Sequence, residues 1–131
     1  MIAKARERGV YDSLIVGDAT ALLTRQPRAA FDIILAADSL VYIGDLIPFF
    51  AAVADALTAD GLVAFSVETS EGEGFGLGAS MRFAHSRAYV EATARETALS
   101  PLLVRPESTR REAGRNAPSL ICVFERVRST F

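Results

Sequence analysis

The chain has 131 residues, with 14 basic and 16 acidic side chains, a net charge of -2 and 50% hydrophobic residues. That length fits one domain over residues 1–131, able to bury about two-thirds of the surface its unfolded chain would expose, and the charge balance argues against an extended nucleic-acid surface. A single cysteine, Cys122, excludes an internal disulfide, and no short Cys/His spacing suggests a metal site, so a reducing, cytoplasmic setting is expected.

The amino terminus, MIAKARERG, carries charges where a signal peptide needs an apolar core, so no export signal is read. Met1 to Arg8 are helix formers throughout, and Gly9 stands where a left-handed cap would close the last turn. Ser13 to Val16 is a short apolar strand ending at Gly17 and Asp18. Ala19 to Arg25 can form a short helix with Asp18 as its N-cap, broken by Pro27.

Phe31 to Phe50 is the stretch around which the rest is organised. Ile33 to Ala37 is apolar on both faces, as a central parallel strand covered by helices should be. From Asp45, the positions Leu46, Ile47, Phe49, Phe50, Val53, Ala54 and Leu57 recur at helical spacing, with Pro48 in the first turn. Asp60 and Gly61 then turn the chain into a strand over Leu62 to Val67, which completes a βαβ unit. Asp32, Asp38 and Asp45 each carry a penalty of about 3 kcal/mol at a membrane centre, so this apolar region is read as core rather than as a span.

Glu68 to Ser80 reads as a loop in which Gly72, Gly74, Gly76 and Gly78 alternate with larger residues. Its spacing does not match a nucleotide-binding loop, which leaves a flexible lid or a simple surface loop. Ser86 caps a helix read from RAYVEATARETAL, with Arg87 and Glu91 paired one turn apart and Pro101 ending it. Leu102 to Val104 and Leu120 to Val127 read as strands of an antiparallel hairpin, joined by a basic loop with Arg110, Arg111 and Arg115. Cys122 alternates with strand residues and is assigned to the core.

Acidic residues at the carboxyl ends of strands mark the edge where open α/β sheets bind ligands. Asp18 and Asp38 both hold such positions, although each could serve only as a cap or turn former. Ser39 and Tyr42 put polar groups next to Asp38. His85 is the only histidine; its place before Ser86 suits either a substrate-side proton acceptor or an exposed loop residue.

Taken together, GDA at Gly17 to Ala19, FDIILAADSLVYIGDL at Phe31 to Leu46, ADGLVAFSVE at Ala59 to Glu68 and FAHSRAYV at Phe83 to Val90 resemble the Rossmann-like, class I S-adenosylmethionine-dependent methyltransferases, small-molecule branch. The resemblance implies that Asp18 hydrogen-bonds the adenine amino group and that Ala19 lies against the ring. It places Asp38, Ser39 and Leu40 beside the methionine end of S-adenosylmethionine, with Asp38, Tyr42 and His85 on the catalytic, acceptor side. It further implies a truncated sheet, mostly parallel with a C-terminal antiparallel hairpin and helices on both faces. The match covers the later two-thirds of the family domain, without the glycine-rich loop or the ribose-binding acid.

Two central strands would then be missing between Ser13–Val16 and Ile33–Ala37. The exposed edges are expected either to pair with each other or to be completed by a second protomer in a homodimer. The function implied is methyl transfer to a small-molecule acceptor, with no nucleic acid or membrane involved. The rival from another class is a non-catalytic dimerisation or regulatory module.

Overall fold

In the computed structural model, residues 7–9, 15, 17–37, 39–70, 72–78, 81–112 and 115–127 are described. The predicted βαβ unit is the centre of the sheet. Strand β1 (Phe31–Ala36) leads through a 3-10 turn (Leu40–Tyr42) into a helix over Ile47–Ala56, and β2 (Leu57–Glu68) returns parallel to β1. The helix starts two residues later than expected, because Pro48 sits in its first turn and the Asp45 carboxylate accepts from the Ile47 amide at 3.0 Å. Phe31 lies opposite Leu57 but Ile33 opposite Leu62, so the intervening residues of β2 loop out of register where the Asp60–Gly61 turn was predicted. The regular ladder begins at Leu62.

Upstream, α1 (Ala19–Thr24) is capped as predicted: the Asp18 side chain accepts from the Ala21 amide at 2.9 Å. Glu7 and Arg8 are helical and Gly9 has φ +62°, the left-handed cap expected of it; residues 1–6 of the predicted helix lie outside the described residues. So do Ser13, Leu14 and Val16 of the predicted strand, and Asp38. With α1 in place, the helix over Ile47–Ala56 is α2.

The glycine-rich stretch is not simply a loop. Phe75–Leu77 (β3) and Phe83–His85 (β4) form a short antiparallel hairpin, and β4 joins the end of β2 through Glu68 and Ala84. Helix α3 (Arg87–Glu96) follows, its Tyr89 amide donating to the Ser86 hydroxyl at 3.2 Å and its Arg87 and Glu91 paired at 2.9 Å. It ends before Pro101, because Ala98 turns the chain left-handed at φ +64°. The chain closes with β5 (Leu99–Glu112) and β6 (Arg115–Arg126), the predicted antiparallel hairpin, here much longer. Arg110, Arg111 and Arg115, expected in a loop, are strand positions. Pro101 and Pro106 are tolerated because β5 is an edge strand among the described residues, bonded there on one side only.

The sheet runs β3-β4-β2-β6-β5, with β1 also on β2. Its parallel strands β1, β2 and β4 are flanked by antiparallel neighbours. One buried cluster holds it to the helices: Phe50 of α2 has its ring centroid 5.3 Å from Phe65 and 6.1 Å from Phe124, and Val53, Val90 and Ala94 join them. Cys122 is buried in the same layer, as expected. Helix α1 docks on α2 and adds Leu23.

Helices were expected on both faces; among the described residues, α2 and α3 join the buried cluster through Phe50, Val53, Val90 and Ala94. Register places Ile33 with Leu62 and Leu35 with Ala64 on the other face, where Ile33 and Leu35 are 67% and 73% exposed. Strand β1 pairs only with β2 among the described residues, so its second edge is open there.

Candidate functional site

Parallel strands that share a direction deliver their carboxyl ends to one rim, and the turns that follow build the site. A cleft of about 620 Å³ runs along β1 from Phe31 to Ala36 and reaches the turn after its carboxyl end, within the range of roughly 300–1,000 Å³ typical of small-molecule sites. Helix α1 and its cap contribute Asp18, Ala19, Leu22 and Leu23, β1 contributes Phe31, Ile34, Leu35 and Ala36, and the segment after β1 contributes Ser39, Leu40 and Tyr42. Of the sequence-predicted residues, Asp18, Ala19, Ser39, Leu40 and Tyr42 therefore meet on one cavity. Asp38 lies outside the described residues, and His85 does not line the cleft.

The walls are largely apolar, and the polar groups are held by local bonds. One oxygen of Asp18 caps α1, leaving a carboxylate at the rim. The Ser39 hydroxyl donates to the Ala37 carbonyl at 3.0 Å. Tyr42 is 68% exposed, at the mouth. Its hydroxyl accepts from Arg82 Nη1 at 3.3 Å, and the same guanidinium lies 5.5 Å from the ring centroid.

His85 is neither an exposed loop residue nor on the cavity wall; its ring is fully buried. Nε2 faces two acceptors, the Ile43 carbonyl at 2.8 Å and the Gly44 carbonyl at 3.0 Å, so it carries the hydrogen and donates to both. Phe75 and Tyr89 flank the ring at 6.0 Å each, and buried Nδ1 has no partner. Burial pushes the imidazole pKa down, partly offset by the two carbonyls. A ring so enclosed fixes the turn after Tyr42 rather than reaching a ligand, because the β3–β4 hairpin folds over it.

Two further residues were not picked out from the sequence. Glu68, at the carboxyl end of β2, pairs with Arg82 at 3.0 Å, each side chain only 11% exposed. The strand-end rule that selected Asp18 and Asp38 applies equally to Glu68 and would have found it. Arg82 carries no local signal, since its role depends on the hairpin.

The cleft fits part of the cofactor that the resemblance implies. Asp18 at the rim with Leu22, Leu23, Leu40 and Phe49 offers an acceptor beside an apolar slot, which suits an adenine ring. No second acid lines the cleft among the described residues, so a ribose-binding partner is not supplied by them.

The fold is that of the class I S-adenosylmethionine-dependent methyltransferases. The 1,6-didemethyltoxoflavin-N1-methyltransferase of Burkholderia thailandensis, solved with 1,6-didemethyltoxoflavin and S-adenosylhomocysteine, matches at 15% identity and TM-score 0.73 over 96% of this chain and 56% of its own. A methyltransferase of Methanosarcina mazei matches at 11% identity and TM-score 0.73 over 98% and 76%. The [4+2]-cyclase SpnF matches at 14% identity and TM-score 0.75 over 98% of this chain and 61% of its own. The chain thus spans just over half the length of the first and about three-fifths of the third. One of the three is a cyclase, so the fold alone does not dictate methyl transfer. No protein-family model matches the sequence, and no curated protein matches it. No described helix is long and apolar enough to cross a membrane.

Proposed function

We propose that the cleft holds the adenosine part of S-adenosylmethionine and that the chain carries the adenine and acceptor side of a methyltransferase for a small molecule. The observation that carries this reading is the meeting of Asp18, Ala19, Ser39, Leu40 and Tyr42 on one cavity that runs along β1 to the turn after its carboxyl end. In methyl transfer an acceptor lone pair bonds the methyl carbon as its bond to sulfur breaks, and the sulfur keeps the electron pair. The residues present would contribute position more than acid–base chemistry: Asp18 accepts a hydrogen bond, the apolar walls exclude water, and Tyr42 borders the acceptor. His85, buried and bonded to two carbonyls, is a poor proton acceptor in this arrangement. Activity is expected to be impaired in the isolated chain, and its single buried thiol suits a cytoplasmic setting.

Calorimetric titration with S-adenosylhomocysteine tests the reading. Binding at micromolar strength is expected, weakened by Asp18→Ser, which keeps a hydroxyl to cap α1 but cannot reach the cleft. An undiminished affinity in that variant would remove Asp18 from the site.

A second reading, a non-catalytic dimerisation module, is favoured by the exposed Ile33 and Leu35 on β1, which pairs only with β2 among the described residues. Light scattering on the same sample separates the two: a well-folded dimer that does not bind S-adenosylhomocysteine supports the module, and a binding-competent monomer excludes it.

A further inference from the structure

Tyr42 is a cleft residue on a short turn and is largely exposed, so nothing in its own segment fixes the ring. The geometry points to Arg82 as the positioning residue that sets the Tyr42 ring at the mouth of the cleft. This deepens the proposed function, on which its binding readout rests.

A connected line of contacts runs from the sheet to the ring. Glu68 ends β2, the strand that pairs with β1, β4 and β6. Its Oε1 takes Arg82 Nε at 3.0 Å, which orients the planar guanidinium and leaves Nη1 to donate to the Tyr42 hydroxyl at 3.3 Å. The guanidinium also sits 5.5 Å from the ring centroid. The main chain aims Arg82 as well: the Arg82 carbonyl accepts from the Gly78 amide at 3.0 Å, and Met81 immediately before it is left-handed at φ +63°.

The other end of the turn is pinned independently by His85 on the Ile43 and Gly44 carbonyls, so the remaining freedom at this wall is that of the Tyr42 side chain. Arg82 is 11% exposed and its charge is balanced by Glu68. Arg82 does not line the cleft, so what it supplies there is placement of the ring.

Arg82→Lys keeps a cation for Glu68 but lacks the fork that reaches Tyr42. Circular dichroism checks the fold, and S-adenosylhomocysteine affinity is measured for Arg82→Lys in the wild-type chain and in Tyr42→Ala. The expected result is a loss of about three- to tenfold in the wild-type background, the worth of one hydrogen bond, and no further loss once Tyr42 is absent. Full affinity in Arg82→Lys, or an equal loss in both backgrounds, overturns the inference, the latter because Arg82 would then act without Tyr42.

The ring signal of Tyr42, identified by its disappearance in Tyr42→Phe with ring-labelled tyrosine, gives a readout free of ligand. If the wild-type chain does not bind, the proposed function fails, and this signal alone decides: movement in Arg82→Lys supports positioning, and an unmoved signal refutes it.

Discussion

His85 is neutral in the folded protein because its ring is buried, and unfolding returns it to the ordinary value of 6.5. Below that pH the unfolded chain takes up a proton that the native ring resists, so the unfolded state binds more protons and stability rises with pH. The contribution is present in full above about pH 7 and is lost as the pH falls through 6.5 toward the lowered native value. Between pH 7.5 and 5.5 the loss is at most about 1.4 kcal/mol, the free energy of protonating an unfolded group of that pKa over the interval. Ordinary carboxylates titrate near 4 and add little in this window. Urea unfolding at three pH values across the window, compared with His85→Gln, isolates the effect; the Gln amide can still donate to the Ile43 and Gly44 carbonyls but does not titrate. A wild-type profile that parallels that of His85→Gln, or that rises toward acid, refutes the buried neutral histidine.

Ala98 occupies the left-handed position after α3 at φ +64°, where an L side chain is disfavoured, so Ala98→Gly is expected to stabilise the protein by about 1 kcal/mol in the same unfolding assay. A β-carbon on Gly44 would stand 2.7 Å from Phe75 Cε2 and 2.8 Å from Phe83 Cε1. Gly44→Ala should therefore lower stability by about 1–3 kcal/mol, while prising the hairpin from the turn that His85 holds; unchanged stability would mean that those rings are loose. Burial pushes the Cys122 thiol up to about 12, so thiol reagents at pH 8 should label it only after unfolding. Rapid labelling of the native protein would contradict its place in the core.

The centre of the fold was legible because its signals are local. Ile33 to Ala37 had apolar residues on both faces, the helix after it kept a 3.6-residue period, and Ser86 stood at a cap position. The β3–β4 hairpin was hidden because each strand has three residues, set among glycines, and its pairing depends on the approach of β2. The burial of His85 was invisible for the same reason: Phe75 and Tyr89 enclose it only once that hairpin closes. In the cleft, the strand-end rule led from Asp18 to the segment carrying Ser39 and Tyr42. It was not extended to Glu68, whose glycine-rich sequel looked like the start of a loop. Arg82 could not be found by any local rule, because its partners lie 14 and 40 residues away in the chain. Which helix covers which face of the sheet could not be read from apolar alternation, which reports that a face wants cover and not what covers it.

Strand β6, the last described element, is an inner strand of the sheet, joined to β2 on one side and to β5 on the other. The β2–β6 ladder joins residues about fifty to sixty positions apart, so closing it carries a larger loop entropy than the neighbouring βαβ unit does. During synthesis the helical side of the core would meet a half-built sheet, with Phe50 and Phe65 waiting for Phe124. The growing chain would then hold an apolar surface in water until β6 left the ribosome, which makes that interval a time of dependence on chaperones.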